Sequence, residues 1–464
     1  MATIDSVLKS VLAKITPTEK EREETNRIKK IIVEAAQEII KPHSLEMTLA
    51  GSYIRDTWMR HKKEFDVFVI FPEACKREEL EKLGLDIGKK LTEKLKGKHT
   101  IAYAEHPYVR AKIAGYDVDI VPCYKLKSGE KIKSAVDRTP LHNQWLLQHL
   151  KKEMSPEVRL LKQFTTSAGV YGSDMKTLGF SGYLCELLII NYGSFKNLAK
   201  EASNWKAAQF IDVWGRHKQP IKLEKFKNQP LIVIDPVDAE RNVATVLSPE
   251  NFAKFTNACR NLMKNPSEKF FFRPAARINT KALEAGIKKR GTQMIAILFD
   301  HPQILPDILY PQLRKTAGRL KGLLEHNEFA VMGFDVWGDG KKCAILLELE
   351  VWGLPVIRKL EGPSIFSKKG SSQFLEKYRR GRVWVEEDKW IAETNRKFLT
   401  AEEGLKAFLK DSEKNLLEKG VASYIAQQVS KGFRLAGARE IIRLAQNKSF
   451  GEFLVNYLEK DYTK

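Results

Sequence analysis

Apolar residues recur at helical spacing through 18–41, where Ile28, Ile31, Ile32, Ala35, Ile39 and Ile40 share a face until Pro42 ends the run. The pattern then changes. A short strand, Leu45 to Ala50, stops at Gly51-Ser52. After a polar stretch comes Phe65-Asp66-Val67-Phe68-Val69-Ile70-Phe71, which is β-branched and aromatic and is bounded by Pro72. Residues 78–97 return to a helical pattern. Between Tyr108 and Val121 two extended segments flank Gly115, a β-hairpin with partial polar–apolar alternation. Helix, strands, helix, strands predict an α+β domain over residues 1–140.

Residues 141–222 read as mainly helical (LHNQWLLQHL, EVRLLKQFTTSA, GFSGYLCELLIINYGSF), and an extended segment from Leu231 to Ile234 precedes Asp235-Pro236. A helical central domain is expected over 141–260. From 261 to 464, apolar strands (QMIAILFD, FAVMGFDVW, KCAILLELEVW) alternate with helices, notably around 306–325. That order suggests a split β-α-β body like those of small RNA-binding domains. The stretch from Gly362 to Ser372 is rich in Gly, Ser and Lys and reads as a loop.

Composition narrows the class. With 464 residues, 43% hydrophobic and 30% charged, the chain can bury more than one core and is neither disordered nor fibrous. No apolar run approaches the roughly 18 residues of a membrane span. The N-terminal MATIDSVLKSVLAKITPTEK is too polar and broken for a signal peptide, so a cytoplasmic protein is expected. Five cysteines, at 75, 123, 185, 259 and 343, form no CxxC pair, which favours reduced thiols over disulfides or a zinc site. Seventy-nine basic residues against 58 acidic ones leave a charge of +21. A polyanion would relieve that self-repulsion, and nucleic acid is the usual one. The bland alternative is a lysine-rich surface from a basic or heat-adapted proteome.

The chemistry centres on Gly51-Ser52 and, twelve positions on from the serine, Glu64-Phe65-Asp66-Val67. Alternate residues of a strand share a face, so Glu64 and Asp66 project together while Phe65 and Val67 enter the core. Two carboxylates at that spacing can share Mg2+, which takes hard oxygen ligands and keeps positions open for phosphates. The Gly-Ser turn offers backbone N–H groups and a hydroxyl to a triphosphate. A second acidic strand, Tyr116-Asp117-Val118-Asp119-Ile120-Val121-Pro122, can complete a three-carboxylate cluster through one of its two aspartates. A lone acidic pair on a strand is usually a solvated face. Here apolar flanks imply burial, and buried carboxylates are costly without metals or donors.

This ordered series resembles the nucleotidyltransferase superfamily of DNA polymerase β and poly(A) polymerases, and is most similar to the archaeal-type (class I) CCA-adding enzymes. The resemblance covers nearly the whole chain. It rests on GSYIRDTW at 51–58, EFDVFVIFP at 64–72, AEHPYVRAKIAGYDVDIVPCYKL at 104–126, SAVDRTPLH at 134–142, EVRLLKQF at 157–164, GFSGYLCELL at 179–188 and DPVDAERNVA at 235–244. It implies a polymerase-β-like catalytic head, a central nucleotide-recognition domain, and a ferredoxin- or RRM-like tRNA-binding body with an inserted tail. It assigns catalysis and metal binding to Glu64, Asp66 and Asp119. Gly51, Ser52 and Arg55 fall at the incoming nucleotide, and His142, Lys162 and Tyr171 match further nucleotide contacts. Arg241, with Asn242, matches the segment that reads the base edge.

Each of these has a plainer reading: Lys162 as a snorkelling surface lysine, Tyr171 as a core-edge residue, His142 as a helix-start hydrogen-bonder, Arg241 as a structural bridge to Asp238 or Glu240. His106 is a further candidate for phosphate contact. Position 56 is Asp where many members of the family carry Asn, and its charge needs Arg55, Arg60 or water to face.

Farther on, Lys368, Lys369, Lys377, Arg379, Arg380 and Arg382 surround Phe374 and Tyr378, and Lys288, Lys289 and Arg290 form a second basic cluster. Both are expected to meet the backbone of folded tRNA, with solvated faces as the alternative. The expected partners are thus tRNA, through its acceptor end and neighbouring arm, and CTP and ATP. No membrane is expected. A homodimer is admitted. The expected activity is template-independent addition and repair of the tRNA 3′-terminal CCA. Its rivals are another template-independent RNA nucleotidyltransferase, such as a poly(A) or uridylyl transferase, and a non-catalytic RNA-binding protein on the same scaffold.

Overall fold

A computed structural model describes residues 3–60, 62–103, 105–126, 135–215, 223–273 and 278–459. The chain divides into two compact units at residue 274. In the first, α1 (Ile4–Ile15) and α2 (Glu19–Ile40) are followed by β1 (Glu46–Ala50), β2 (Glu64–Phe71), α3 (Arg77–Lys94), β3 (Lys98–Tyr103), β4 (Pro107–Ile113) and β5 (Tyr116–Tyr124). Thr18 starts α2 through a capping box with Glu21. The five strands form one sheet in the order β1-β2-β5-β4-β3, with β2 and β5 parallel and the other pairs antiparallel. Positive φ at Ala114 and Gly115 turns β4 into β5, the expected hairpin.

One face of this sheet is covered by α2 and α3. Phe65, Val67, Val69 and Phe71 of β2 and Val118 and Ile120 of β5 meet Ile28, Ile32, Leu80, Ile87 and Leu91 there. Helix α3 lies unusually close, because its glycines face the sheet one turn apart. A Cβ on Gly84 would fall 2.6 Å from Pro122, and one on Gly88 would fall 2.6 Å from Val109. The opposite face is apolar only towards the strand ends, at Phe68, Val121 and Cys123. At the strand starts it is acidic.

The helices α4 (Arg138–His149), α5 (Ser155–Ser167), α6 (Gly182–Tyr192), α7 (Phe195–Ala202) and α8 (Pro249–Lys264) build a second core with a small sheet of β6 (Gln209–Ile211), β7 (Leu231–Asp235) and β8 (Asp238–Asn242). Val7, Val11 and Ile15 of α1 join that core with Leu161, Phe164, Leu187 and Phe255. The segment around GFSGYLCELL is shorter as a helix than the sequence suggests. Ser181 caps it, and Gly193 ends it in a left-handed conformation.

The second unit contains α9 (Thr280–Arg290), β9 (Gln293–Asp300), α10 (Pro306–His326), β10 (Val331–Gly338) and β11 (Lys342–Leu349). These are followed by β12 (Ile357–Ser364), α11 (Lys368–Tyr378), β13 (Val383–Glu386) and β14 (Lys389–Asn395). The chain then runs through α12 (Ala401–Leu409), α13 (Glu413–Glu418), α14 (Ser423–Lys431), β15 (Arg434–Gly437), α15 (Ala438–Leu444) and α16 (Lys448–Leu458). Its main sheet has the order β10-β11-β9-β15 and is antiparallel throughout, the expected split β-α-β arrangement. Both faces are buried: Ile295, Ile297 and Phe299 meet α10, α12 and α14, while Met294 and Ala296 meet α9 and α16. Double burial explains why QMIAILFD is apolar without alternation. Between β11 and β15 lies the inserted sheet β12-β14-β13. Here the sequence expectation of a loop from Gly362 to Ser372 is corrected. Gly362 belongs to β12, and α11 begins at Lys368. Weak helix formers are tolerated there because Phe374 docks against Gly362, where a Cβ would fall 2.5 Å from the ring.

Among the described residues no helix is long and apolar enough to cross a membrane. The close approach of α3 gives a stability prediction. Gly88→Val inserts a branched side chain where there is no room, and urea unfolding should show a loss of about 1–3 kcal/mol.

Candidate active site

The parallel register sets Glu64 opposite Asp117 and Asp66 opposite Asp119. Neighbouring strands lie about 4.8 Å apart, so Glu64, Asp66 and Asp119 are brought onto one patch of one face. Asp66 is half-buried there. Burial first, then the charges of Asp119 and Glu64, push its carboxyl up to about 6. Asp119 is gripped by Arg110, whose Nε and NH2 donate to its two oxygens at 2.8 Å each. Glu64 is more exposed, with Lys62 Nζ 3.5 Å away. Asp117 points to solvent beside Lys112, which leaves Asp119 as the inward aspartate.

Gly51 follows β1 at φ +87°, and a Cβ there would fall 2.3 Å from Asp66 Oδ2. Only glycine fits both demands, so the turn carrying Ser52 closes directly over the acids. Among the described residues no three acidic, His or Cys side chains already close as a metal cage. The donor set nevertheless suits a hard divalent cation. It consists of carboxylate oxygens only, and Asp66 is held in a repulsion that a cation would relieve.

Beside the acids lies a buried charge cluster that sequence reasoning missed at its centre. Glu186, on α6, is fully buried. It accepts from Arg55 Nε at 3.2 Å and NH2 at 3.0 Å, from Thr57 Oγ1 at 2.5 Å, and lies 3.8 Å from Lys162 Nζ. Burial pushes its carboxyl up, but the charges of Arg55 and Lys162 and the Thr57 hydrogen bond outweigh that and hold it below the usual range. Lys162 is therefore no snorkelling surface lysine. Its Nζ donates to the Thr57 carbonyl at 3.0 Å, and the residue is 3% exposed. Arg55 also donates to Asn143 Oδ1 at 2.6 Å, and Asn143 holds the Leu49 carbonyl at 3.2 Å, pinning α4 to β1. Tyr171 stands at the start of α6. Its hydroxyl would be 3.3 Å from a Cβ on Gly182, and Lys62 lies over its ring at 5.7 Å.

A second buried acid, Asp235 at the end of β7, collects His142 and Arg241. Oδ2 lies 2.8 Å from His142 Nε2 and 2.7 Å from Arg241 NH1. Oδ1 accepts from the Tyr183 hydroxyl and the Val237 N–H, both at 3.1 Å. The plainer reading of Arg241 as a structural bridge holds with a different partner: Arg241 bridges Asp235, while Asp238 pairs with Arg138 and Glu240 with Lys225. Tyr183 and Glu186 sit three apart on one face of α6, so a single helix positions both acid clusters.

Asp56 faces neither Arg55 nor Arg60. Arg22 and Arg159 hold it at 2.6 and 2.7 Å, and its φ of 53° is a conformation that Asp and Asn tolerate better than most residues. His106 is 3% exposed, and burial holds its imidazole below the usual range, so it is a neutral interior residue. In the second unit Arg290, at the surface beside Lys288 and Lys289, has a buried partner. It is turned onto buried Glu348, with Nε–Oε1 at 2.6 Å. Phe374 is buried, whereas Phe366, which the sequence did not single out, is 80% exposed beside Lys368.

Three family models cover most of this layout: a nucleotidyltransferase domain at 26–142, a tRNA nucleotidyltransferase second domain at 156–272, and a CCA-adding enzyme C-terminal domain at 290–437. A CCA-adding enzyme of Methanocaldococcus jannaschii is 42% identical over 406 residues, 85% of this chain and 88% of that protein. Those of Methanosarcina acetivorans and Archaeoglobus fulgidus are each 37% identical, over 96% and 87% of this chain and 96% and 89% of theirs. The chain belongs to the CCA-adding enzymes. A structure of Cid1 poly(U) polymerase overlaps 57% of the chain and 96% of its own at 12% identity, with a TM-score of 0.46. Membership in the CCA-adding family makes the chain an α+β transferase of the tRNA nucleotidyltransferase kind, which implies tRNA and nucleotides as substrates and a divalent metal.

Two predictions follow from the charges. Removing the charge of Glu186 leaves Arg55 and Lys162 uncompensated in the interior. Glu186→Gln should therefore cost about 3 kcal/mol in urea unfolding at neutral pH. Asp66 works in the opposite direction. Its carboxyl titrates near 3.8 when unfolded and near 6 when folded, so folding favours the protonated form. The penalty is absent below the lower value and complete above the higher one. In metal-free buffer Asp66→Asn should be more stable than wild type by about 1–3 kcal/mol near pH 7.5, with the gap closing towards pH 4. A gap that widens on acidification would contradict the assignment.

Proposed function

We propose that this chain builds and repairs the 3′-terminal CCA of tRNA from CTP and ATP, without a nucleic-acid template, in the cytoplasm. The observation that carries the proposal is the register that sets Glu64, Asp66 and Asp119 side by side, in a chain 42% identical to a CCA-adding enzyme. The RNA 3′ hydroxyl attacks the nucleotide α-phosphate, and pyrophosphate leaves. Glu64, Asp66 and Asp119 would hold magnesium, which would supply activation of the hydroxyl and stabilisation of the leaving pyrophosphate.

The chain's own groups bind and orient. Gly51 and Ser52 bring backbone and hydroxyl donors over the acids. Arg55 and Lys162 share one carboxylate, Glu186, so the cluster keeps a net positive charge for the triphosphate. Tyr171 and His142 add hydrogen-bonding and stacking surface, and Arg241 reads the base edge. In the second unit, exposed Lys368, Lys369, Arg379, Arg380 and Arg382 meet the tRNA backbone, with Lys288 and Lys289. The three regions act as head (1–140), nucleotide-recognition domain (141–260) and tRNA-binding body with tail (261–464).

The test uses tRNA lacking one, two or three terminal nucleotides, with labelled CTP and ATP singly and together. Asp66→Ala should abolish incorporation while tRNA affinity in a gel-shift assay stays within about twofold, because phosphate contacts elsewhere supply the binding. Near-normal incorporation by that variant would remove Asp66 from the chemistry. Long homopolymer products would mark a poly(A) or uridylyl transferase instead.

A further inference from the structure

We infer that Asp235 is a positioning residue for nucleotide choice: it fixes His142 as the tautomer with a bare Nδ1 and holds Arg241 beside it, making an acceptor–donor pair for cytosine and adenine. The inference rests on base reading by Arg241 in the function proposed above.

The argument begins with Asp235, the last residue of β7, which is 1% exposed and lies in a turn held by its own contact with the Val237 N–H. An ionised carboxylate only accepts hydrogen bonds. Burial raises this carboxyl, but the contacts from His142, Val237 and Arg241 outweigh it and keep the group ionised. At 2.8 Å from Oδ2, His142 Nε2 must therefore carry the hydrogen. In its neutral form the ring then carries its lone pair on Nδ1. The ring plane is set by its stack on Tyr183, at 4.0 Å with planes 24° apart, and the Nε2 contact with Oδ2 sets which way round the ring lies. Tyr183 is itself fixed by donating to Oδ1 of the same carboxylate.

Arg241 donates through NH1 to the same Oδ2 at 2.7 Å. Its side chain is 34% exposed, so its other N–H groups remain presentable. A single oxygen thus fixes the two side chains relative to one another, one carrying an acceptor and the other a donor. Cytosine and adenine both offer an exocyclic amine beside a bare ring nitrogen. Uracil and guanine offer a carbonyl beside a ring N–H. The pair formed by His142 Nδ1 and Arg241 N–H complements the first pattern. Against the second it sets acceptor to acceptor and donor to donor. Protein groups can reject on this basis by leaving buried partners unpaired.

The experiment compares kcat/KM for CTP and UTP on tRNA lacking the whole terminus, and for ATP and GTP on tRNA lacking only the last residue. Asp235→Asn replaces a pure acceptor by a group that can donate to Nε2 and reverse the tautomer. CTP and ATP should lose at least about tenfold, the worth of a charge-assisted hydrogen bond, while UTP and GTP change less than about threefold. Asp238→Asn removes the neighbouring Arg138 pair without touching Asp235 and should leave all four values unchanged. A uniform loss for all four nucleotides in Asp235→Asn would overturn the inference.

The wild-type protein gives a second readout that is independent of how the variant folds. With 15N-histidine labelling, and His142 assigned by its absence in His142→Gln, the spectrum should show Nε2–H and an unprotonated Nδ1. An Nδ1–H tautomer would overturn the inference. Failure of the function itself looks different: wild type would then add neither C nor A to any of the tRNAs.

Discussion

A slip of one residue between β2 and β5 would exchange Asp66 for Phe65 or Val67 on the outer face and drive carboxylates into the apolar layer under α2 and α3. Nothing else in the head could then assemble. Register is held from both sides of the sheet. On the inner face Phe65 stacks on Tyr116 at 5.4 Å, and Val67, Val118 and Ile120 are fully buried. At the open end the Asp117 N–H reaches back to the Lys63 carbonyl at 2.9 Å. On the outer face the strands are apolar only beyond the acids, so the acidic patch lies where the sheet has no cover of its own. The folding energy of one face thereby maintains an electrostatically unfavourable arrangement on the other.

The same logic recurs around single buried acids. Glu186, Asp235 and Glu348 are each at most 1% exposed, and each gathers cations and hydroxyls from segments remote in sequence. Desolvating such groups costs several kcal/mol, and the ion pairs formed roughly offset that cost rather than exceed it. Their contribution is therefore to orientation. Glu186 aligns Arg55 with Lys162, Asp235 aligns His142 with Arg241, and Glu348 orients Arg290 at the surface of the second unit.

These acids mark the limit of what the sequence could reveal. The run from Phe65 to Phe71 is legible as a strand because its β-branched and aromatic residues have no other stable home, and Gly51-Ser52 with Glu64 and Asp66 carries its chemistry in local spacing. Strand β3, KHTIAY, was missed because it is a short edge strand that is solvated on both faces and shows no periodicity. The first turn of α11 reads as loop because its Gly-Ser start has poor helix propensity, which docking of Phe374 overrides. Glu186 is hidden for another reason. Within GYLCELLIINY it breaks an apolar helix, and its partner Arg55 lies 131 positions away. A charged residue in so apolar a run is itself a signal that a distant partner exists, though not of which one. Asp235, 93 positions from His142, is hidden in the same way.

Helix α6 joins the two clusters. Tyr183 belongs to the Asp235 group, Glu186 to the Arg55–Lys162 group, and Gly182 admits the Tyr171 hydroxyl at its start. Groups on one rigid helix cannot shift independently, so the two clusters, proposed to meet phosphate and base, keep a fixed separation. Template-free choice demands this, since no opposing base exists to test the incoming one. Selection must come from donors and acceptors already in place, whose reorganisation cost was met when the protein folded. A buried carboxylate anchored to such a helix is a stiff way to hold them, because relaxing it would expose an unpaired charge to an apolar interior.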